Sequence, residues 1–386
     1  MKKSLIALIV LASNLIIPLV QAAEWSLTST LNPSVKYDDN VFMSEKKQSS
    51  VQHAISPTVT IKREVEASQL SLVTGYNIDR YVAFNELDRD DPFIRLESGF
   101  STERSQYDLL ASYEQKSSRS IAEQDTGDFN TESTVTTKTL LPSYSYQLTE
   151  YDSLYLSAAY TTRSYSTADF NDNETISLNS AWQHLFSDRL SAGLAVSVSN
   201  YQSDGLTVKT DDDNYSLSTV LNYQLTELWQ FSGQIGLRKL NSSSSSNGLN
   251  ETNSSSGSLF NFNVSKKTEF DTLSLDVSRS LSPTSLGDVN EQDSLRFQWS
   301  RDITENLSSR LSASYQQTIS ATDEGNDERE NLNLSPSIKW QFERNLGIDL
   351  SYNYRQQKNS SDDTDVNSNS VMVSLIYDWD GYRISR

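Results

Sequence analysis

The chain is 386 residues long, carries 51 acidic against 32 basic side chains for a formal charge of −19, and is only 36% apolar. Phosphate contacts need clustered Lys and Arg, so nucleic acid is set aside as a partner. The 19 Tyr, 13 Phe and 6 Trp at regular spacing exclude a disordered acidic chain, and the lack of any cysteine excludes a disulfide framework.

Residues 1–22 read as a secretory signal peptide. Lys2 and Lys3 precede the apolar run LIALIVLASNLIIPLV, and the small-residue site Val20-Gln21-Ala22 follows. Asn14 and Pro18 interrupt the run, which counts against a retained membrane helix. The expected mature chain, 23–386, is one domain. It holds no apolar run of about 18 residues, so no membrane helix is expected, and the periplasm, the medium and the outer membrane remain as destinations.

From Trp25 onward apolar residues fall on every second position, the period of a strand, with essentially no 3.6-residue stripe. Trp25, Leu27, Leu31, Val35 and Tyr37 mark the first strand, then Val51, Ile55, Val59 and Ile61 the second. Later examples are Tyr215, Leu217, Leu221 and Tyr223, then Trp229, Phe231, Ile235 and Leu237, and finally Val371, Val373, Leu375, Tyr377 and Trp379. Short turns are expected near Glu64–Glu66, Glu103–Arg104, Thr149–Asp152, Ser187–Arg189, Thr226–Glu227, Lys266–Glu269, Asp302–Asn306 and Glu343–Asn345. They lie about 40 residues apart, and their sequences (YQLTEYDSL, YQLTELWQF, SKKTEFDTL, WSRDITENL) echo one another as a hairpin repeat. Acidic or Ser/Gly/Asn-rich stretches at 114–130, 203–213, 241–257, 321–330 and 356–369 read as long loops between the hairpins.

The intervening positions decide the architecture. They are Ser26, Thr28, Thr30, Asn32 and Ser34 in the first strand, Ser177, Asn179 and Gln183 or Ser312, Ser314 and Gln316 further on. A soluble sandwich of this length needs strands apolar on both faces, and none is evident. Lipid on one face and water on the other accounts for the pattern. Backbone groups in lipid must all be bonded, so the sheet has to close. The expected fold is a transmembrane antiparallel up-and-down β-barrel of about 18 strands, with short periplasmic turns and long acidic extracellular loops. Tyr144, Tyr146, Tyr151, Trp182, Phe186, Trp229, Trp340 and Phe342 beside the short turns fit an interfacial girdle.

A barrel of this size encloses water unless loops fill it. Its inward face is mostly neutral, with Asp276, Arg296, Arg310, Lys339, Asp349 and Arg355 as candidate pore-lining charges. Tyr155 is nearly the only inward ring, which argues against an aromatic sugar track. His53 and His184 fall in phase with the lipid-facing positions, and no nucleophile or metal-ligand motif accompanies them, so neither enzyme chemistry nor a cofactor is expected. The carboxylates of Asp211–Asp213 and Asp323–Glu330 lack EF-hand spacing and read as solvated loop.

The stretch Pro33 to Phe42, P-S-V-x-Y-D-D-N-V-F, resembles the opening of the putative beta-barrel porin 2 family. The resemblance implies an outer-membrane barrel of Gram-negative bacteria, often encoded in exopolysaccharide clusters and assisting polysaccharide export, with lipid, glycan or another hydrated solute, and periplasmic export machinery as partners. The family offers no catalytic residues to carry over. Tyr37 ends the first strand and Asp38, Asp39 and Asn40 suit a turn. Val41 and Phe42 then lie in an ordinary loop, pack on a neighbouring hairpin or the pore rim, or dip into the bore. Acidic loops would repel a strongly anionic polymer at low salt, favouring a neutral or weakly charged glycan. A nutrient-importing diffusion porin and a non-conducting scaffold barrel share the same architecture.

Overall fold

The computed structural model describes residues 23–205, 208–246, 249–321, 328–361 and 363–385, so the expected leader lies outside the described residues. Alternating side chains make strands in chain order: β1 (Glu24–Asp38), β2 (Ser50–Val65), β3 (Ser68–Tyr81), β4 (Arg89–Ser101), β5 (Ser105–Ser117) and β6 (Thr134–Gln147). There follow β7 (Asp152–Tyr165), β8 (Asp172–Ser187), β9 (Leu190–Asp204), β10 (Val208–Gln224), β11 (Trp229–Ser246) and β12 (Leu249–Lys267). The last are β13 (Asp271–Pro283), β14 (Val289–Thr304), β15 (Leu307–Ser320), β16 (Arg329–Glu343), β17 (Leu346–Asn359) and β18 (Thr364–Ser385). Each pairs antiparallel with its chain neighbours, and β1 pairs with both β2 and β18, so the 18-stranded sheet closes on itself.

The closing seam runs from Glu24↔Ser385 to Asp38↔Ser370, with one register shift between Leu27 and Ser29. Gly381 sits opposite this irregularity at φ 69°, and a Cβ there would lie 1.5 Å from the Leu27 carbonyl oxygen. Only glycine fits so tight a bulge.

Register puts every apolar set on the outside. On β10, Leu217 lies between Val196 and Leu237, while the adjacent Ser216 lies between Ser197 and Arg238 on the inner face. Leu217 is 58% and Leu237 73% exposed. A continuous apolar outer face of this extent requires hydrocarbon around it. Trp182, Phe186, Tyr151 and Trp340 are exposed on the outside beside short connections.

All eight expected short turns coincide with connections at one end of the barrel, the turn end. At the opposite, loop end the expectation of long loops holds only in part. Residues 203–204, 208–213, 241–246, 249–257, 356–359 and 364–369 are strand. Ladder bonds use backbone alone, and the pairing Ser242↔Asn253 simply continues the register of Leu237↔Ser258 below it. A bilayer needs only about 9–11 residues per strand. The 18-residue β11 and 19-residue β12 therefore stand well clear of it. Residues 322–327 of the expected 321–330 loop lie outside the described residues.

The apolar residues buried inside the barrel gather near the loop end, in two small clusters. Met43, Ala122, Phe129 and Val366 form one, and Tyr201, Leu240 and Val289 the other. Leu217→Arg, midway along β10, is expected to destabilise the barrel by about 2–4 kcal/mol, whereas Ser216→Arg on the watered face leaves stability nearly unchanged. Urea-dependent folding into lipid vesicles measures both.

Candidate functional site: two inward segments at the loop end

The first cluster is made by the β1–β2 connection. Asp38 ends β1 with its side chain inward, where it accepts from the Asn40 amide (3.0 Å) and Ser368 Oγ (2.5 Å). It also pairs with Lys36 (3.1 Å) and Arg355 (3.2 Å). Asp39 accepts from the Asn369 amide at 2.6 Å and from Lys47 at 3.0 Å. Its partial burial raises its pKa, but these donors outweigh that and hold the carboxyl below its ordinary value. Asn40 is 0% exposed, donating to the carbonyls of Asn367 (2.9 Å) and Ser44 (2.8 Å). The acidic triplet thus fastens the connection to β18. Val41 is buried behind it, and Phe42 meets Phe84 of the β3–β4 connection edge-on at 4.9 Å. Of the three sequence readings, packing on a neighbouring hairpin at the rim is the one the geometry shows.

Phe42 also carries the guanidinium of Arg119, 4.9 Å above its ring. Arg119 belongs to the β5–β6 connection, residues 118–133, and donates to the carbonyls of Phe129 (2.8 Å) and Val41. Burial pushes its pKa down, against the opposing pull of Tyr81 and Glu132. The connection then runs to the far wall. The Glu123 carbonyl accepts from Gln316 (3.0 Å) and Asn331 (3.2 Å), and its carboxylate from Asn333 (2.6 Å). Arg329 donates to the Asp125 carbonyl at 2.7 Å, and Gln357 to that of Gly127 at 3.0 Å. These partners sit on β15, β16 and β17, across the barrel from β5 and β6. Gly127, at φ 77°, makes the turn possible.

The end of the β13–β14 hairpin supplies the second inward segment. Strand pairing between β12 and β13 stops at Phe260↔Arg279, and above it β13 parts from β12 while β14 stays paired with β15 up to Asn290↔Ser320. Leu281 and Val289 pack on Tyr201 and Leu240, while Arg238 of β11 pairs with Glu291 at 2.6 Å. Tyr201 donates to the Thr284 carbonyl at 2.7 Å, and Asn171 to that of Ser285 at 2.7 Å. The two segments meet where the Ser285 amide donates to the Asp125 carboxylate at 2.7 Å.

Between these segments and the walls lie separate spaces. One of about 380 Å³ is bounded by β1–β5, Arg355 and the 118–133 connection. Another of about 840 Å³ opens at the loop end, lined by Asp125, Asp212, Glu251, Asp288, Glu328 and Arg329 among others. A third of about 430 Å³ lies between the β13–β14 end and the inner faces of β8–β11.

The six charges singled out in the sequence all fall on the inner face by register. Asp276 lies opposite Arg296 and accepts from Asn263 at 2.6 Å. Arg296, Arg310 and Lys339 follow one another on β14, β15 and β16, with Asp349 opposite Lys339. Among the described residues only Arg355 of the six makes an ion pair, and only it joins the inward segments, lying 5.6 Å over Phe129. Inward Tyr155 stands between Ser145 and Ala181. His53 is exposed on the outer face opposite Val35, and His184 lies 2.9 Å from Asp152, a pairing the sequence did not suggest. Asp211 and Asp213 share Asn200 as donor, at 2.7 and 3.0 Å, while Asp212 is buried inward. No group of three or more metal-binding side chains occurs among the described residues. The residues missed were those receiving the inward segments. Their signal was the grouping of amides (Gln316, Asn331, Asn333, Gln357) on the inner faces of three adjacent strands.

Residues 263–378 match the family model described as "Putative beta-barrel porin 2". No curated protein matches the chain. Among solved structures, the FrpB iron transporter from Neisseria meningitidis (F5-1 variant) superposes with a TM-score of 0.52 at 8% identity, covering 92% of this chain and 82% of that one. The copper transporter OprC gives 0.49 at 12% identity over 88% of this chain, which spans 63% of OprC. OccAB2 of Acinetobacter baumannii gives 0.48 at 11%, over 92% and 98%. At these identities the likeness is one of fold. The fold is a closed 18-stranded antiparallel β-barrel of the outer-membrane kind.

Replacing both Arg329 and Asn333 by Ala is expected to free the far end of the 118–133 connection and raise single-channel conductance in planar bilayers; unchanged conductance contradicts an obstructing role. Because the folded pKa of Asp39 lies below its ordinary 3.8, its contribution is fully present above that value and decays as pH falls below it. Protease protection of the 39–49 connection is expected to be flat from neutral pH to about this value and to fall beyond it.

Proposed function

We propose that the chain is an aqueous outer-membrane conduit that assists the export of exopolysaccharide. The observation that carries this reading is the inner wall: Ser, Thr, Asn and Gln side chains line most of it, from Ser26 on β1 to Ser374 on β18. Hydroxyls and amides exchange hydrogen bonds with a hydrated glycan at little net cost and hold no unit tightly, which suits passage. The 118–133 connection narrows the route, held to the far wall by Gln316, Asn331, Asn333, Gln357 and Arg329. Short turns face the periplasm, where export machinery would dock, and the acidic rim of the 840 Å³ space faces outward. The exopolysaccharide context is what the resemblance of Pro33 to Phe42 implies, and the match over 263–378 is in keeping with a porin-type barrel.

A second reading, a porin admitting small solutes, is favoured by one feature. With the connection in place, the neighbouring space of about 380 Å³ suits one or two sugar units better than a broad polymer.

Purified protein is expected to conduct in planar bilayers; a silent barrel would favour the scaffold reading. Deleting the gene is expected to reduce secreted polysaccharide while nutrient uptake is spared. Intact secretion with slowed uptake of a defined sugar would overturn export in favour of import.

A further inference from the structure

We infer that the space between the β1–β5 wall and the 118–133 connection is a binding subsite for an acidic sugar unit, a hexuronate. The inference deepens the glycan-passage reading and rests on it.

The charges lining this space are not all paired off. On one side stand Lys36, Arg355 and Arg119, with Asp38 as the carboxylate paired to the first two. Arg119 has no ion pair among the described residues: its bonded donors go to the carbonyls of Val41 and Phe129. Three cations thus face one anion. On the other side Arg89 is matched by both Asp91 (2.7 Å) and Glu132 (2.6 Å), and Asp79 is held by Gln52 at 2.8 Å without a cation. Lys116, which also lines the space, pairs with Glu114 at 3.0 Å. The lining holds five cations and four anions, Arg119 is left without an ion pair among the described residues, and a half-buried guanidinium without a counter-ion is costly to keep.

A hexuronate meets both sides at once. Its carboxylate takes the fork of free N–H groups on Arg119 and the Lys36 ammonium, the bonding that guanidinium geometry favours. Its ring hydroxyls donate to the carboxylates of Asp79 and Asp91, groups that only accept when ionised. Phe129 and Tyr81, which also line the space, offer apolar surface to the ring's C–H face. A neutral hexose satisfies the acidic side only and leaves Arg119 uncompensated. A bare inorganic anion satisfies the basic side only. The volume, about 380 Å³, falls within the range of ligand clefts. The acidic composition of the exposed connections argued for a neutral glycan, but the local field inside the bore differs from that of the rim.

Isothermal titration of the full-length protein in detergent micelles tests this without requiring conduction, so loss of the conduit reading and loss of the subsite appear in different experiments. Sodium glucuronate is expected to bind about ten-fold tighter than glucose, the worth of one hydrogen bond to a charged group. It should likewise bind tighter than inorganic phosphate. A uronate oligosaccharide that binds at least as well as the monomer assigns the site to a polymer, and binding of the monomer alone assigns it to free sugar acid. Lys36→Gln, which removes a contact only to Asp38, and Arg119→Gln are each expected to abolish the preference, whereas Asp79→Asn weakens glucose and glucuronate alike. Heat-modifiable gel migration reports that each variant is folded. Equal affinity for glucose and glucuronate, a phosphate affinity matching glucuronate, or a preference surviving in folded Lys36→Gln would each overturn the assignment.

Discussion

The requirement that no backbone N–H or C=O be left unbonded in hydrocarbon governs this molecule. An open sheet would present two rows of bare polar groups to lipid at several kcal/mol per group. The β1–β18 seam removes both rows, and the chain accommodates it with the one local distortion at Gly381. Once the sheet is closed, the two faces of every strand live in different solvents. The low apolar content follows, because only one face has to be apolar.

Closure also creates an interior that side chains of the wall cannot fill, and there the rules reverse. Irregular backbone, forbidden against lipid, is permitted wherever it finds partners in a watered bore. The 118–133 connection and the β13–β14 end use that freedom. Each carries a few apolar residues that need cover (Ala122 and Phe129 in one, Leu281 and Val289 in the other) and many carbonyls that find donors on the opposite wall. The 38–43 stretch belongs to the same arrangement, since Arg119 links the Val41 carbonyl to the crossing segment. A solute passing through the barrel in the proposed role would meet these segments first or last.

Strands, register and turns were legible because they depend on local alternation. Ser216 and Leu217 differ in solvent before any tertiary contact is known, and the YQLTE-type turns recur at hairpin spacing. Element height was not legible. The serine tract 241–246 has loop composition, yet it stays in the ladder because its backbone continues the β10 and β12 register. The route of the crossing segment was hidden for a different reason. Asp125 meets Ser285 across 160 positions of sequence, and such a contact leaves no periodic trace. Asp38 and Arg355, separated by 317 positions, were each noted for their own chemistry, and only the closed seam brings them together.

The division into a lipid-facing and a water-facing set of alternate residues is most directly measured by single-cysteine labelling, since the native chain contains no cysteine. Cysteines placed one at a time from 214 to 223 along β10, in lipid vesicles, would be offered a membrane-impermeant maleimide. The account predicts labelling at even positions such as Ser216 and Asn222, with the tightly packed Ser218 excepted, and protection at Leu217 and Leu221. Uniform labelling, or protection following any period other than two, would contradict it.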